Sequence, residues 1–282
     1  MAVRIVTDST ADLPKERAAA LGISVVPLKV IFGSEEYLDG VDLDTAGFFK
    51  KLAESKDFPR TSQPTPADFL SVYQRLIEEG AEAILSVHLS AKFSGTYQSA
   101  CAARAALPPE LQRIPIEIVD SESISLGIGM SVMHAAEEAQ GGADLESIKA
   151  RLVDRLRRTR ILGVLDSLEH LRRGGRIGRA SAFLGTMLSF KPIIGIQAGE
   201  VVPVERPRTR AKAYERVAQL FQEAGPVEEV VIVESSDELG EQLAAAMKAV
   251  YPQPIPRYKL GAVLGTHTGP GTVGIIFITA HQ

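Results

Sequence analysis

A chain of 282 residues, 30.3 kDa and 45% hydrophobic residues has enough material for two ordinary domains with a sizeable core. Its 31 Lys+Arg against 35 Asp+Glu leave a net charge of −4, which argues against a nucleic-acid binder or a protein held on an anionic membrane by its overall charge; any membrane contact would be transient and any anion site local. One cysteine, Cys101, gives neither a disulfide framework nor a Cys-rich zinc site. The opening MAVRIVTDST has no apolar signal-peptide core, and no apolar run approaches the ~20 residues that span a bilayer, so a reducing cytoplasm is the expected compartment.

VRIVTD reads as a short buried strand, followed by a helix with Asp12 as N-cap, Pro14 at its first position and Gly22 at its end. ISVVPLKVIF is expected to form one strand. RTSQPTP, residues 60–66, puts the Thr61 and Ser62 hydroxyls before a two-proline turn, where they can donate to a ligand or simply bond the backbone. Thr65 and Pro66 open a helix whose apolar residues Phe69, Val72, Tyr73, Leu76 and Ile77 share one face, and Gly80 ends it. AILSVHL is a strand. KFSGTYQS then opens a helix from about Gly95 to Leu107, so Ser94 and the amides of Gly95 and Thr96 fall where a helix N-terminus attracts anions; a plain N-cap role for Ser94 is the competing reading. This segment and the Asp8-Ser9-Thr10 loop both follow strands, at the sheet end where open α/β folds bind ligands. IEIVD, a helix from about Ile124 to Gln140 and one from Asp144 to about Arg158 complete a doubly wound pattern.

Past residue 160 the pattern changes. RILGVL, KPIIGIQ and EVVPVERP are strands joined partly by hairpin turns such as Ala198-Gly199, and helices over about 210–224 and 237–250 alternate with EEVVIVES, RYKLGAVL and VGIIFIT. The expectation is an α/β protein with an N-terminal doubly wound parallel sheet in residues 1–160 and a C-terminal α/β domain with a mixed sheet in residues 161–282.

Two segments stand outside that scaffold. In HTGPGTVG, Gly269, Gly271 and Gly274 match G-x-G-x-x-G, yet the motif opens a strand instead of a helix, and the IIFITAHQ that follows is too short to complete a dinucleotide site. Turn glycines between two strands account for it, with His267 beside the turn a candidate site residue. LEHLRRGGRIGR carries Arg172, Arg173, Arg176 and Arg179 on a glycine-rich loop, and ERPRTRAK adds Arg206, Arg208, Arg210 and Lys212. These make two candidate edges of one basic patch suited to carboxylate, phosphate or an acidic partner, a solvated surface being the alternative.

TDSTADLP, TSQPTP, FSGTYQSA, VDSESISLGIGM, LRRGGRIGRASAFLG, KPIIGI, RPRTRAKA and HTGPGTVG occur in the order found in the DegV family, which the chain resembles along essentially its whole length. The resemblance implies a two-domain α/β protein that binds a long-chain fatty acid as its ligand, needs no further cofactor, and serves as the fatty-acid-binding subunit of a bacterial fatty acid kinase. The partner subunit would hold the ATP, in keeping with the lack of any G-x-x-x-x-G-K-[ST] here. It further implies that Thr61, Ser94 and His267 hold the fatty-acid carboxylate at the domain interface, with Ser62 and Gly95 as neighbours. Arg172, Arg173, Arg176, Arg206 and Arg208 would serve the head group or the docking of the partner. SLGIGMSV, residues 125–132, could line the acyl tunnel, although helix packing predicts the same composition. The rival is a hydrolase or acyltransferase with Ser94 as nucleophile and His267 as base; no G-x-S-x-G elbow surrounds Ser94, and Asp8 is only a loose third member.

Overall fold

The computed structural model describes residues 2–184 and 190–281, so Gly185, the last residue of the LRRGGRIGRASAFLG motif, lies outside the described residues. Its first half runs β1 (Val3–Asp8), α1 (Lys15–Ala20), β2 (Ser24–Val26), β3 (Lys29–Phe32), β4 (Glu35–Leu38), α2 (Thr45–Glu54), β5 (Arg60–Ser62), α3 (Pro66–Glu78), β6 (Ala83–His88), α4 (Thr96–Ala105), β7 (Ile116–Asp120), α5 (Leu126–Gln140) and α6 (Leu145–Arg158). The second runs β8 (Thr159–Val164), α7 (Glu169–Arg173), β9 (Ile193–Gln197), β10 (Glu200–Glu205), α8 (Arg210–Glu223), β11 (Val227–Glu234), α9 (Asp237–Met247), β12 (Arg257–Lys259), α10 (Ala262–Thr268) and β13 (Val273–Thr279).

Strand order β2-β1-β6-β7 makes a fully parallel sheet. Alternate residues of a strand point to opposite faces, so Ile5 and Leu85 pack toward α5 and α6 while their neighbours Val6 and Ile84 pack toward α3 and α4. The mixed sheet, order β10-β9-β8-β13-β11-β12, is antiparallel apart from the β11–β12 pair. Its Ile275 and Phe277 pack on α8 and α9, and its Ile276 and Ile278 join the cluster that contains α5 and α6. Those two helices therefore lie between the sheets. This is why the first half of α5, Leu126–Met133, is buried on all sides, as its run of apolar and small residues requires.

Four local expectations change. ISVVPLKVIF is two strands, since Pro27 offers no N–H for a ladder and the chain leaves the parallel sheet there to enter an antiparallel one, β4-β3-β5, that the sequence pattern had not suggested. Helix α1 starts from Pro14, not Asp12; Asp12 takes a left-handed conformation, φ 51°, and turns its carboxylate inward. RYKLGAVL is strand only as far as Lys259, and Ala262–Thr268 is helix, so the glycine motif follows a helix and not a strand. The arginine-rich segment is not simply loop, because α7 and a 3₁₀ turn, Gly178–Phe183, shape it. The Ala198-Gly199 hairpin holds, with φ of 50° and 74° at the two positions, as a type I′ turn demands. So does the Thr65 cap, in the reciprocal form where Thr65 and Asp68 cap each other.

Candidate functional site

The small sheet places β5 at its edge, beside β3. Pairing of Val30 with Thr61 sets the register, and alternation then sends Thr61 and Ser62 to opposite sides. Thr61 is half-buried and its Oγ1 lies 2.9 Å from Nε2 of His267, in the last turn of α10. Ser62 is exposed, with the carbonyl of Gln63 as its hydroxyl's partner at 3.4 Å.

His267 is held neutral. Burial lowers its pKa to about 4, and the Arg176 and His170 charges act in the same direction. Its Nδ1 faces Gly174 so closely that a Cβ at residue 174 would collide with the ring, and that nitrogen has no hydrogen-bond partner among the described residues. With the proton on Nε2 the ring donates to Thr61, which keeps the threonine's own hydrogen free for a ligand oxygen.

The β6–α4 segment is tied to both neighbours. The Gly95 amide donates to Oε1 of Gln63 at 3.1 Å, and Nε of Arg176 donates to the Phe93 carbonyl at 3.1 Å. Between them, Ser94 Oγ pairs with Thr96 Oγ1 at 2.9 Å and accepts from the Thr96 amide at 3.4 Å. Gln63, within TSQPTP, carries no signal in sequence of a site role; its amide oxygen covers the helix-terminal N–H of Gly95, and a Cβ at residue 95 would run into its side chain.

Beside α10 lies an apolar cavity of about 60 Å³. Its walls include Ile161, Gly163 and Ile276 of the mixed sheet and, on α10, Leu264 and Thr268. The same short helix thus turns His267 to Thr61 and the residues beside it to the cavity. Gly163 and Gly274 are register partners on adjacent strands, and both border the cavity, so the glycine of HTGPGTVG leaves a flat wall there. Gly269, φ 85°, ends α10, and Gly271 packs against Asp166 with no room for a Cβ. From SLGIGMSV only Ser125 borders the cavity; Ile128 and Met130 belong to the core between the sheets.

The arginines divide. Arg176 donates to the Phe93 carbonyl and lies near enough to His267 for its charge to lower that ring's pKa. Arg173 stacks 3.9 Å from the centre of the Phe58 ring, and Arg172 is paired with Glu169 in solvent. Arg206 lies over Phe183, and Arg208 is exposed.

The groups of a serine hydrolase are not assembled: Ser94 pairs with Thr96, His267 with Thr61, and Asp8 is buried with His88 Nδ1 at 3.0 Å from its carboxylate and the Leu89 amide at 3.1 Å.

A family model described as "Uncharacterised protein, DegV family" matches residues 2–280. A DegV domain-containing protein of Halalkalibacterium halodurans is 38% identical over 97% of both chains. Among solved structures, a DegV family protein from Thermus thermophilus described for its fatty acid binding is similar with a TM-score of 0.88 and 38% identity, over 99% of this chain and 100% of that one. DegV from Bacillus subtilis, described as a fatty acid binding protein, is similar with a TM-score of 0.86 and 33% identity, again over 99% and 100%.

Proposed function

The chain belongs to the DegV family, and on that premise we propose that it binds a long-chain fatty acid and presents the carboxylate to a separate ATP-binding kinase subunit. One observation carries the reading: a hydroxyl and a neutral imidazole, Thr61 and His267, meet at the helix whose Leu264 and Thr268 line an apolar cavity. The similar solved structures described as fatty acid binding support it.

The hydrocarbon supplies affinity. Burying a 16-carbon tail at ~0.8 kcal/mol per CH₂ contributes up to roughly 12 kcal/mol before ordering costs. The head group lies between the N-terminal unit, residues 1–160, and the C-terminal unit, residues 161–282. There the hydroxyls of Thr61 and Ser94 and the Gly95 amide donate to the carboxylate, and Gln63 yields Gly95 as the ligand enters. A neutral His267 adds a donor's order without a cation that would bind the carboxylate too tightly to let it react. One carboxylate oxygen then attacks the γ-phosphorus of the partner's ATP and ADP leaves, so this chain contributes positioning and is no enzyme by itself. The work is done in the cytoplasm, with passing contact at a membrane surface to collect or deliver the insoluble acid.

Protein purified from a bacterial host should carry about one acyl chain per molecule, read by native mass spectrometry and by analysis of extracted lipid. A mass without lipid that stays unchanged after hexadecanoate is added would overturn the reading.

We further propose that the α7 arginines steer the partner. Rim charges act mainly on encounter, so Arg172→Glu with Arg173→Glu should slow association with the kinase subunit by about tenfold at low salt and flatten its salt dependence, leaving bound lipid unchanged. Surface plasmon resonance at two ionic strengths tests this; equal on-rates would make α7 ordinary solvated surface.

A further inference from the structure

We infer that Asp12 and Asp39 are positioning residues for the head-group histidine, clamping the first turn of α10 so that His267 at its other end stays against Thr61. The inference rests on the proposed role of that pair in holding the carboxylate.

Helix α10 has seven residues, too few to persist on its own in water, and its first amides have no partners within the helix. Three separate elements of the N-terminal half hold that end. Asp12, after β1, accepts the Gly261 amide at 3.0 Å; Asp39, after β4, accepts the Ala262 amide at 3.1 Å; and Thr45, which opens α2, donates to the Leu260 carbonyl at 2.9 Å. Gly261 has no Cβ, and one there would strike the Asp12 carboxylate. Asp12 is itself fixed by Ser125, whose hydroxyl donates to its second oxygen at 2.5 Å. Ser125 also borders the apolar cavity. From Ala262 to His267 the helix rises about 7.5 Å at 1.5 Å per residue, a lever too short to bend, so a tilt at the clamped end moves the ring.

Carboxylates are a costly choice for this task. Both are buried, and burial raises the pKa of Asp12 well above its ordinary value and that of Asp39 to about 6; Asp8 adds repulsion to each. Among the described residues, Oδ2 of Asp39 has no hydrogen-bond partner. An uncharged cap would satisfy the helix at lower desolvation cost. What the two acids add is attachment of one turn to two independent strand ends, which fixes direction as well as capping.

The test is the titration of His267 followed by its ring NMR signals, which reports ring burial whether or not lipid is bound. In the unaltered protein the ring should stay neutral down to about pH 4. In Asp12→Ala and Asp39→Ala the freed helix lets water reach the ring, and the titration should rise by about one to two pH units toward the ordinary histidine value. Asp12→Asn and Asp39→Asn keep an acceptor for the same amides and should restore the unaltered curve. Thr45→Val, which removes a tie without altering charge, should give a smaller rise and serves if the alanine variants do not fold. Cooperative unfolding with an unmoved His267 titration in the alanine variants, or in Thr45→Val where those fail to fold, would overturn the clamp. Absence of lipid from the unaltered protein would instead remove the fatty-acid reading and leave this result standing.

Discussion

Gly163→Phe should abolish fatty-acid binding while leaving a folded protein. The cavity, about 60 Å³, has room for no more than a handful of waters, so a long acyl chain enters only as the isoleucine and leucine walls move apart. A Cβ at residue 163 would meet one atom, Cγ1 of Ile194, at an ordinary 3.5 Å, so the backbone tolerates a side chain there. The ring then occupies the space the acyl chain would open. Overpacking costs about 1–3 kcal/mol of stability, whereas losing most of the tail's burial removes several kcal/mol of binding, more than about a hundredfold in affinity. Native mass spectrometry and a melting curve together check this. Full lipid occupancy in a cooperatively folded variant would place the acyl chain elsewhere.

Thr61→Val, Ser94→Ala and His267→Ala should have the opposite profile, keeping lipid and losing turnover. The tail dominates affinity, and each head-group hydrogen bond contributes only about 1–3 kcal/mol to it. Transfer, by contrast, depends on where the attacking oxygen lies, and misplacement by about 1 Å can cost on the order of a hundredfold. With the kinase subunit and ATP, acyl-phosphate formation trapped as the hydroxamate should therefore fall about a hundredfold in Thr61→Val and Ser94→Ala, with lipid content unchanged. His267→Ala should fall similarly because the ring orders Thr61. Since His267 is already neutral from about pH 4 upward, the unaltered protein's turnover should show no step near pH 6.5 attributable to this ring. Three variants with full turnover would mean that the carboxylate is held by other groups.

What the sequence determined by itself is local and periodic. The short buried strands VRIVTD and AILSVHL, the i, i+3, i+4 spacing of Phe69, Val72 and Tyr73, and the Thr65 cap each depend on neighbours a few positions away, and the structure keeps all of them. The DegV motifs were legible for the same reason, as runs of adjacent residues. Tertiary structure decided the rest. Thr61 and His267 are 206 positions apart, and they meet because β3 sets the register of β5 while α10 is clamped at Gly261 and Ala262. Asp12 had the sequence of a helix cap and became a buried anchor, since a left-handed turn aimed its carboxylate at Gly261 and away from α1. Ile128 and Met130 had the composition of a tunnel wall and became core, because two sheets enclose the first half of α5 and leave no face of it open there. Propensity and periodicity act within a turn or two of chain, whereas a site drawn from distant segments exists only once packing has chosen which faces touch.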